Sequence, residues 1–283
     1  MSLGETIMPL VNGFKLLDKI AEKKCIAYAF NTTNFETSFG IAKAIEESGL
    51  PNYIQIAPTN VKLSGYDYVA DVVKKIAVDM RTPMALHLDH GKTMEDVENA
   101  VKAGFTSIMI DGAALSFDDN IALVKEAVDY CSCFGIPVEA ELGAISGKED
   151  DIENDASKTD YRVVKEFIER SGCNLLAVSV GNVHGLDAQP HIDFELLDKI
   201  YQESPIPLVL HGGSGIPFDI LRKVKDYSVY KINIASDLRK EVIKAYGKAY
   251  EYNNMEHNLI KVALTARDAV YVECKNKIEA LNK

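Results

Sequence analysis

Met84-Ala-Leu-His-Leu-Asp-His-Gly91 is an apolar run that stops on an acid and an imidazole. It reads as a short buried strand, with Gly91 freeing the backbone immediately afterwards. An acid beside a possible metal ligand at the carboxyl end of a strand is how a barrel enzyme places its chemistry. Ordinary turn chemistry could leave the same two residues there, so the stretch has to be read with the rest of the chain. In an ideal strand Asp89 and His90 face opposite sides. Both can serve one site only if the strand breaks at Asp89, as Gly91 permits.

Working outward, the same pattern repeats. After a first helix over 11–23, apolar strands at 25–30, 53–57, 84–89, 107–111, 138–142, 175–180, 208–211 and 229–234 alternate with helical stretches. The helical stretches carry apolar residues three and four apart, as in Ile121, Val124, Ala127 and Val128. Glycines at 49, 104, 135 and 172 stop them, and Pro51, Pro83, Pro137 and Pro207 precede or open the next strand. Eight strands with intervening helices predict an α/β fold, a closed (β/α)8 barrel. An open doubly wound sheet is the alternative. It would want GxGxxG after the first strand, where Phe30-Asn-Thr-Thr-Asn34 stands instead. Two helices after the eighth strand, 237–252 and 259–281, are one more than the barrel needs, and the extra one is expected to dock on a neighbouring subunit. Met1-Ser-Leu-Gly-Glu-Thr-Ile7 reads as residues added for expression, leaving 8–283 as one barrel domain.

The chain has 283 residues, 47% hydrophobic and 26% charged, enough for a large core. A formal net charge of −11 speaks against a nucleic-acid surface while leaving room for a local phosphate pocket. No apolar run is long enough for a membrane span. Five cysteines, scattered through apolar patterns, read as reduced thiols of a cytoplasmic protein. The one shift in composition is 143–160, a long acidic loop after the fifth strand, expected to be poorly ordered until substrate binds.

At the strand ends the chemistry accumulates. Asp89 and His90 follow strand three, Asp111 strand four, and Glu139 and Glu141 lie in strand five. Strand six runs into Gly181-Asn-Val-His-Gly185, strand seven into His211-Gly-Gly-Ser-Gly215, and strand eight into Lys231-Ile-Asn-Ile-Ala-Ser-Asp237. Of six histidines, His90, His184 and His211 fall in these turns. Any one alone is as well read as structural, and His87, His191 and His257 are left so. Three at one barrel mouth describe a catalytic site for zinc or a similar divalent ion with an open position. The glycine-rich turn after strand seven and the helix opening near Ser236 offer backbone N–H groups to a phosphate.

With these residues the chain resembles the class II, metal-dependent ketose-bisphosphate aldolases. The resemblance runs from Met8 to the end, through His87-Leu-Asp-His-Gly91, Val138-Glu-Ala-Glu-Leu-Gly143 with Glu149-Asp-Asp151, Gly181-Asn-Val-His-Gly185, Leu210-His-Gly-Gly-Ser-Gly215 and Lys231-Ile-Asn233. It implies a zinc ion on His90, His184 and His211, and Asp89 as acid–base at the cleaved bond. It implies Glu149 as the group exchanging the carbon-bound proton of dihydroxyacetone phosphate. Asp111 and Glu141 match positions for a second metal or a monovalent cation. Gly185, Gly212, Gly213, Ser214, Asn233, Ala235 and Ser236 match the segment holding dihydroxyacetone phosphate, and Arg267 the arginine for the distal phosphate. It further implies a phosphorylated sugar as substrate, fructose or tagatose 1,6-bisphosphate or another ketose 1-phosphate, and a homodimer or homotetramer. Ala57-Pro58 stands where fructose enzymes commonly carry a serine, and Ser146-Gly147 where many members have Gly-Gly. These departures bear on the aldehyde partner and on loop closure.

Two other readings compete. A metal-dependent hydrolase on the same barrel would want an HxH pair at the end of strand one, which Phe30-Asn-Thr-Thr-Asn34 lacks. A barrel keeping metal and sugar phosphate only as ligands would have no use for Asp89 beside three histidines.

Overall fold

The computed structural model describes residues 10–149, 152–154, 157–185 and 191–283, and for 146–149 and 152–154 the description is of the backbone. Residues 1–7, read as added for expression, lie outside it. Eight strands are parallel and close on themselves: β1 (Ala27–Asn31), β2 (Asn52–Ile56), β3 (Met84–Gly91), β4 (Ser107–Ile110), β5 (Val138–Leu142), β6 (Leu175–Val178), β7 (Leu208–Leu210) and β8 (Val229–Ile234). Each pairs with its neighbours in sequence, and β1 pairs with β8 to shut the ring (Ala29 opposite Asn233). This is the TIM barrel that the alternation of strands and helices predicts.

Helix α1 (Gly13–Lys23) sends Leu16 and Ile20 against Ala27, Ala29, Tyr53 and Ala85, closing the amino-terminal end of the barrel. Around the outside run α2 (Phe35–Ser48), α3 (Tyr66–Ala77), α4 (Met94–Ala103), α5 (Phe117–Ser132), α6 (Val164–Ser171), α7 (Phe194–Glu203) and α8 (Phe218–Lys223). Helices α2 and α4 open on capping boxes, Asn34 with Thr37 and Thr93 with Asp96, which satisfy otherwise orphaned backbone donors. The main core lies between these helices and the outward face of the strands, with Leu86 and Leu88 of β3 and Ile108 and Ile110 of β4 fully buried in it. The last two helices, α9 (Ser236–Tyr252) and α10 (Leu259–Leu281), form a pair, and α10 also lies along α2.

Inside the barrel, alternate residues ascend from apolar to polar. Ala85, His87 and Asp89 follow one another up β3, and Tyr53 gives way to Gln55 on β2. The wall formed by Met109, Leu175, Ala177 and Val209 stays apolar. Polar chemistry is thereby confined to the middle and the carboxyl end.

Two strand ends differ from the sequence reading in a way that matters. β1 reaches Asn31 and β3 reaches Gly91, because the terminal residues face the interior and pair there instead of turning into solvent. The stretch 143–160, read as a loop, carries two short strands in its described part. Ser146–Glu149 pairs antiparallel with Ile152–Asn154, and parallel with Val183–His184, where Gly147 stands opposite His184. Its acidic composition hides a pairing only a few residues long. The expectation that it is poorly ordered until substrate binds falls partly on 150–151 and 155–156, outside the described residues.

Candidate active site

Asp89 and His90 do share one site, but the strand solves the facing problem with a bulge and not a break. The β3–β4 register shifts between Leu88 and Gly91, and His90 takes φ 50°, a left-handed value uncommon for a residue with a side chain. Pairing then resumes, with Gly91 opposite Ile110 and its carbonyl accepting from the Asp111 N–H at 2.7 Å. Gly91 is required by space: a Cβ there would stand 2.8 Å from both Leu88 Cδ2 and the Met109 carbonyl.

Asp89 is buried to 1% exposure and gripped by amides. Asn233 Nδ2 donates to Oδ1 at 2.9 Å, while Asn31 Nδ2 and Gln55 Nε2 donate to Oδ2 at 2.8 and 3.1 Å. Burial pushes its pKa up, yet nearby His90, His211 and Lys231 together with the Asn31 amide outweigh that and hold it below the ordinary carboxylate value. The result is an ionised, oriented carboxylate at the mouth.

His90, His184 and His211 converge as the spacing implied, with ligand atoms all within 4.8 Å of one another. The outer nitrogens of two of them are tied to carboxylates. His90 Nδ1 lies 2.7 Å from Asp111 Oδ2, and His211 Nε2 lies 2.8 Å from Glu139 Oε1. Carboxylates accept, so these nitrogens carry the protons. The inner ones, His90 Nε2 and His211 Nδ1, face each other 2.9 Å apart, with Asn233 Nδ2 3.2 Å from the latter. Imidazole nitrogens converging this closely suit a shared cation, each ring being oriented from behind by a carboxylate as metal-binding histidines are. Burial, helped by nearby His90, takes the pKa of His184 down to about 3, and burial first holds His211 well below its usual value, so both are neutral donors at physiological pH. The residues fit a divalent ion.

Beneath this layer lies a buried ion pair. Lys231 Nζ is 2.7 Å from Glu139 Oε2 and 3.1 Å from His87 Nε2, and His87 Nδ1 meets Ser107 Oγ at 2.8 Å. His87 is thus the satisfied core residue expected. Lys231 is committed to Glu139 and fully buried. Asp111 also pairs with Lys92, and despite the burial that works to raise it, His90 and Lys92 hold it well below its usual pKa. Glu141, Asp111 and His90 form a second group able to hold a metal.

The turn after β7 and the start of α9 enclose a small cavity lined by Gly185, Gly212, Ser214, Asn233, Ala235 and Ser236 together with His184 and His211. Gly212 has φ 62°, and a Cβ on it would stand 2.3 Å from the Val183 carbonyl. Gly213 lies behind this cavity, its N–H donating to the Asn233 carbonyl at 3.0 Å. The Arg267 guanidinium pairs with Asp268 at 2.8 Å and lies over the Phe39 ring. The Glu149 side chain lies outside the described residues.

Sequence reasoning gave no role to Asn31, Gln55, Glu139 or Lys92. A lone Gln in Tyr53-Ile-Gln-Ile and a lone Lys in Tyr230-Lys-Ile were signals that these strands had a polar inner face. A further cleft opens beside Asn31, the residue whose amide donates to Asp89. This cleft of about 360 Å³, lined by Asn31, Thr33, Asn34, Asn60 and Arg239, has Leu238, Val242 and Ile243 as its apolar wall.

The comparisons agree with this geometry. The model of the class-II fructose-bisphosphate aldolase family matches residues 11–283. The YdjI aldolase from Escherichia coli K12 is 31% identical over 96% of this chain and 97% of its own, with a TM-score of 0.83. A putative fructose-1,6-biphosphate aldolase from Coccidioides immitis is 26% identical over 95% and 96%, with a TM-score of 0.84. The fructose-bisphosphate aldolase of Campylobacter jejuni, 19% identical over 97% and 96%, shares the fold with a TM-score of 0.81. With a closed barrel, three converged histidines and a family match over almost the whole chain, this protein belongs to the class-II fructose-bisphosphate aldolase family.

Proposed function

We propose that the protein is a zinc-dependent aldolase that reversibly cleaves a ketose 1,6-bisphosphate, of fructose or tagatose, to dihydroxyacetone phosphate and glyceraldehyde 3-phosphate. The observation that carries this reading is the convergence of His90, His184 and His211, with ligand atoms within 4.8 Å of one another and the Asp89 carboxylate adjoining. When bound there, zinc would supply Lewis-acid stabilisation of the negative charge that develops on the ketose oxygens.

The chain's own residues do the rest. Asp89, kept ionised and aimed by three amides, takes the C4 hydroxyl proton in cleavage and returns it in condensation. Glu149 exchanges the carbon-bound proton of dihydroxyacetone phosphate. The turn carrying Gly212, Gly213 and Ser214, with Gly185, Asn233, Ala235 and Ser236, seats the phosphate of that product. Asp111 orients His90 and, with Glu141, could hold a second cation. No described helix is long and apolar enough to cross a membrane, and the five thiols are free, which suits carbohydrate metabolism in the cytoplasm.

A second reading, an aldolase for another ketose 1-phosphate, is favoured by the aldehyde end. Ala57 offers no hydroxyl, and Arg239 lines the cleft beside Asn31. Arg239 would serve a phosphate or a carboxylate equally. A cleavage assay with added zinc, reading dihydroxyacetone phosphate from a panel of phosphorylated ketoses with and without a terminal anion, separates the two. Bisphosphates should be cleaved fastest, and a panel that releases none overturns both.

A further inference from the structure

The two halves of the phosphate seat are fastened to each other through Asp237. Its N–H donates to Ser214 Oγ at 3.3 Å, and its Oδ2 accepts from the Gly215 N–H at 3.3 Å. This joins the turn after β7 to the first turn of α9. The fastening sets a carboxylate next to a seat meant for a dianion, which that charge should repel.

The compensation comes from the far end of the chain. Lys277 of α10 places Nζ 2.6 Å from Asp237 Oδ2, the same oxygen that takes the Gly215 N–H. Its side chain is 9% exposed, it lies over the Phe218 ring at 5.6 Å, and its second partner is Glu273 at 3.2 Å. The helix is pinned nearby, where Arg222 Nη1 donates to the Ala280 carbonyl at 3.0 Å. Surface lysines are held far more loosely.

We propose that Lys277 is a positioning residue of the phosphate seat, cancelling the Asp237 charge so that the seat is fastened without repelling its ligand. Through it the C-terminal helix becomes part of phosphate binding. The inference rests on reading the cavity of Gly212, Ser214 and Ser236 as that seat.

The test uses the zinc-loaded protein, inorganic phosphate as probe, and the steady-state constants of cleavage. Lys277→Met should raise the phosphate Kd and the KM about tenfold, with kcat within about twofold and zinc content unchanged. Lys277→Arg should stay near the parent. The neutral pair Asp237→Asn with Lys277→Met should recover most of the lost affinity, which a merely structural lysine would not allow. Asp237→Asn alone, informative even if Lys277→Met misfolds, should bind phosphate at least as tightly as the parent. Parent-like phosphate binding by Lys277→Met, no recovery in the double variant, or weaker binding by Asp237→Asn overturns the proposal. If the parent itself shows no phosphate binding competitive with substrate, the seat is misread and this role falls with it.

Discussion

At the scale of single residues, neighbours in sequence are expected to fail differently. His90→Ala removes one of three converging imidazoles, so zinc content and activity should fall together. Asp89→Ala leaves the imidazoles in place, so zinc should stay while kcat for cleavage drops on the order of 10²–10⁴-fold. Metal analysis beside kcat for both variants checks this, and an Asp89→Ala protein without metal contradicts it. Buried imidazoles also predict acid sensitivity. Folded His87, His184 and His211 have depressed pKa values, that of His184 to about 3. Below the unfolded value of roughly 6.5 the unfolded chain therefore binds protons that the folded one does not. Stability is full above that pH and is lost as pH falls, by ~1.4 kcal/mol per unit for each such histidine until its folded value is reached. Denaturant midpoints of chelated protein at pH 7.5, 6 and 5 should descend steadily, and a flat series contradicts the prediction. What the sequence could show at this scale was the three histidines and Asp89, because each sits where an apolar run ends. The amide grip of Asn31, Gln55 and Asn233 was hidden, since it needs β1, β2, β3 and β8 to meet across a ring.

At the scale of elements, the eight strands were legible because a strand buried on both faces reads as a continuous apolar run. Their ends were not. Asn31 and Asp89 look like turn residues until the interior of the barrel is known to be polar at that height. The bulge at His90 was unreadable, as a one-residue shift leaves no mark on composition. It makes Gly91 a sharp test. Gly91→Ala must push Leu88 or the Met109 backbone aside, at a cost of about 1–3 kcal/mol typical of overpacking. The shift should also misalign His90, so zinc affinity should fall along with thermal stability. A variant with parent-like zinc binding and melting temperature would show that the bulge tolerates a side chain.

At the scale of the whole molecule, the helix pair α9–α10 leaves Tyr252, Met255, Leu259 and Ile260 at least 73% exposed. Large apolar side chains exposed so close together in the chain mark an interface, and a second copy of the chain is the expected occupant. Light scattering should give at least twice the 31.2 kDa chain mass, and Leu259→Glu with Ile260→Glu should lower it towards one chain. A parent already running as a single chain would contradict this. The central claim is that metal held by His90, His184 and His211 is what makes this barrel an aldolase. The most direct measurement is release of dihydroxyacetone phosphate before and after chelation, with zinc counted by elemental analysis and borohydride added to a parallel sample. The account predicts activity that disappears with zinc, returns on adding zinc or cobalt, and leaves no covalent adduct. Full activity in metal-free protein, or a borohydride-trapped adduct, contradicts it.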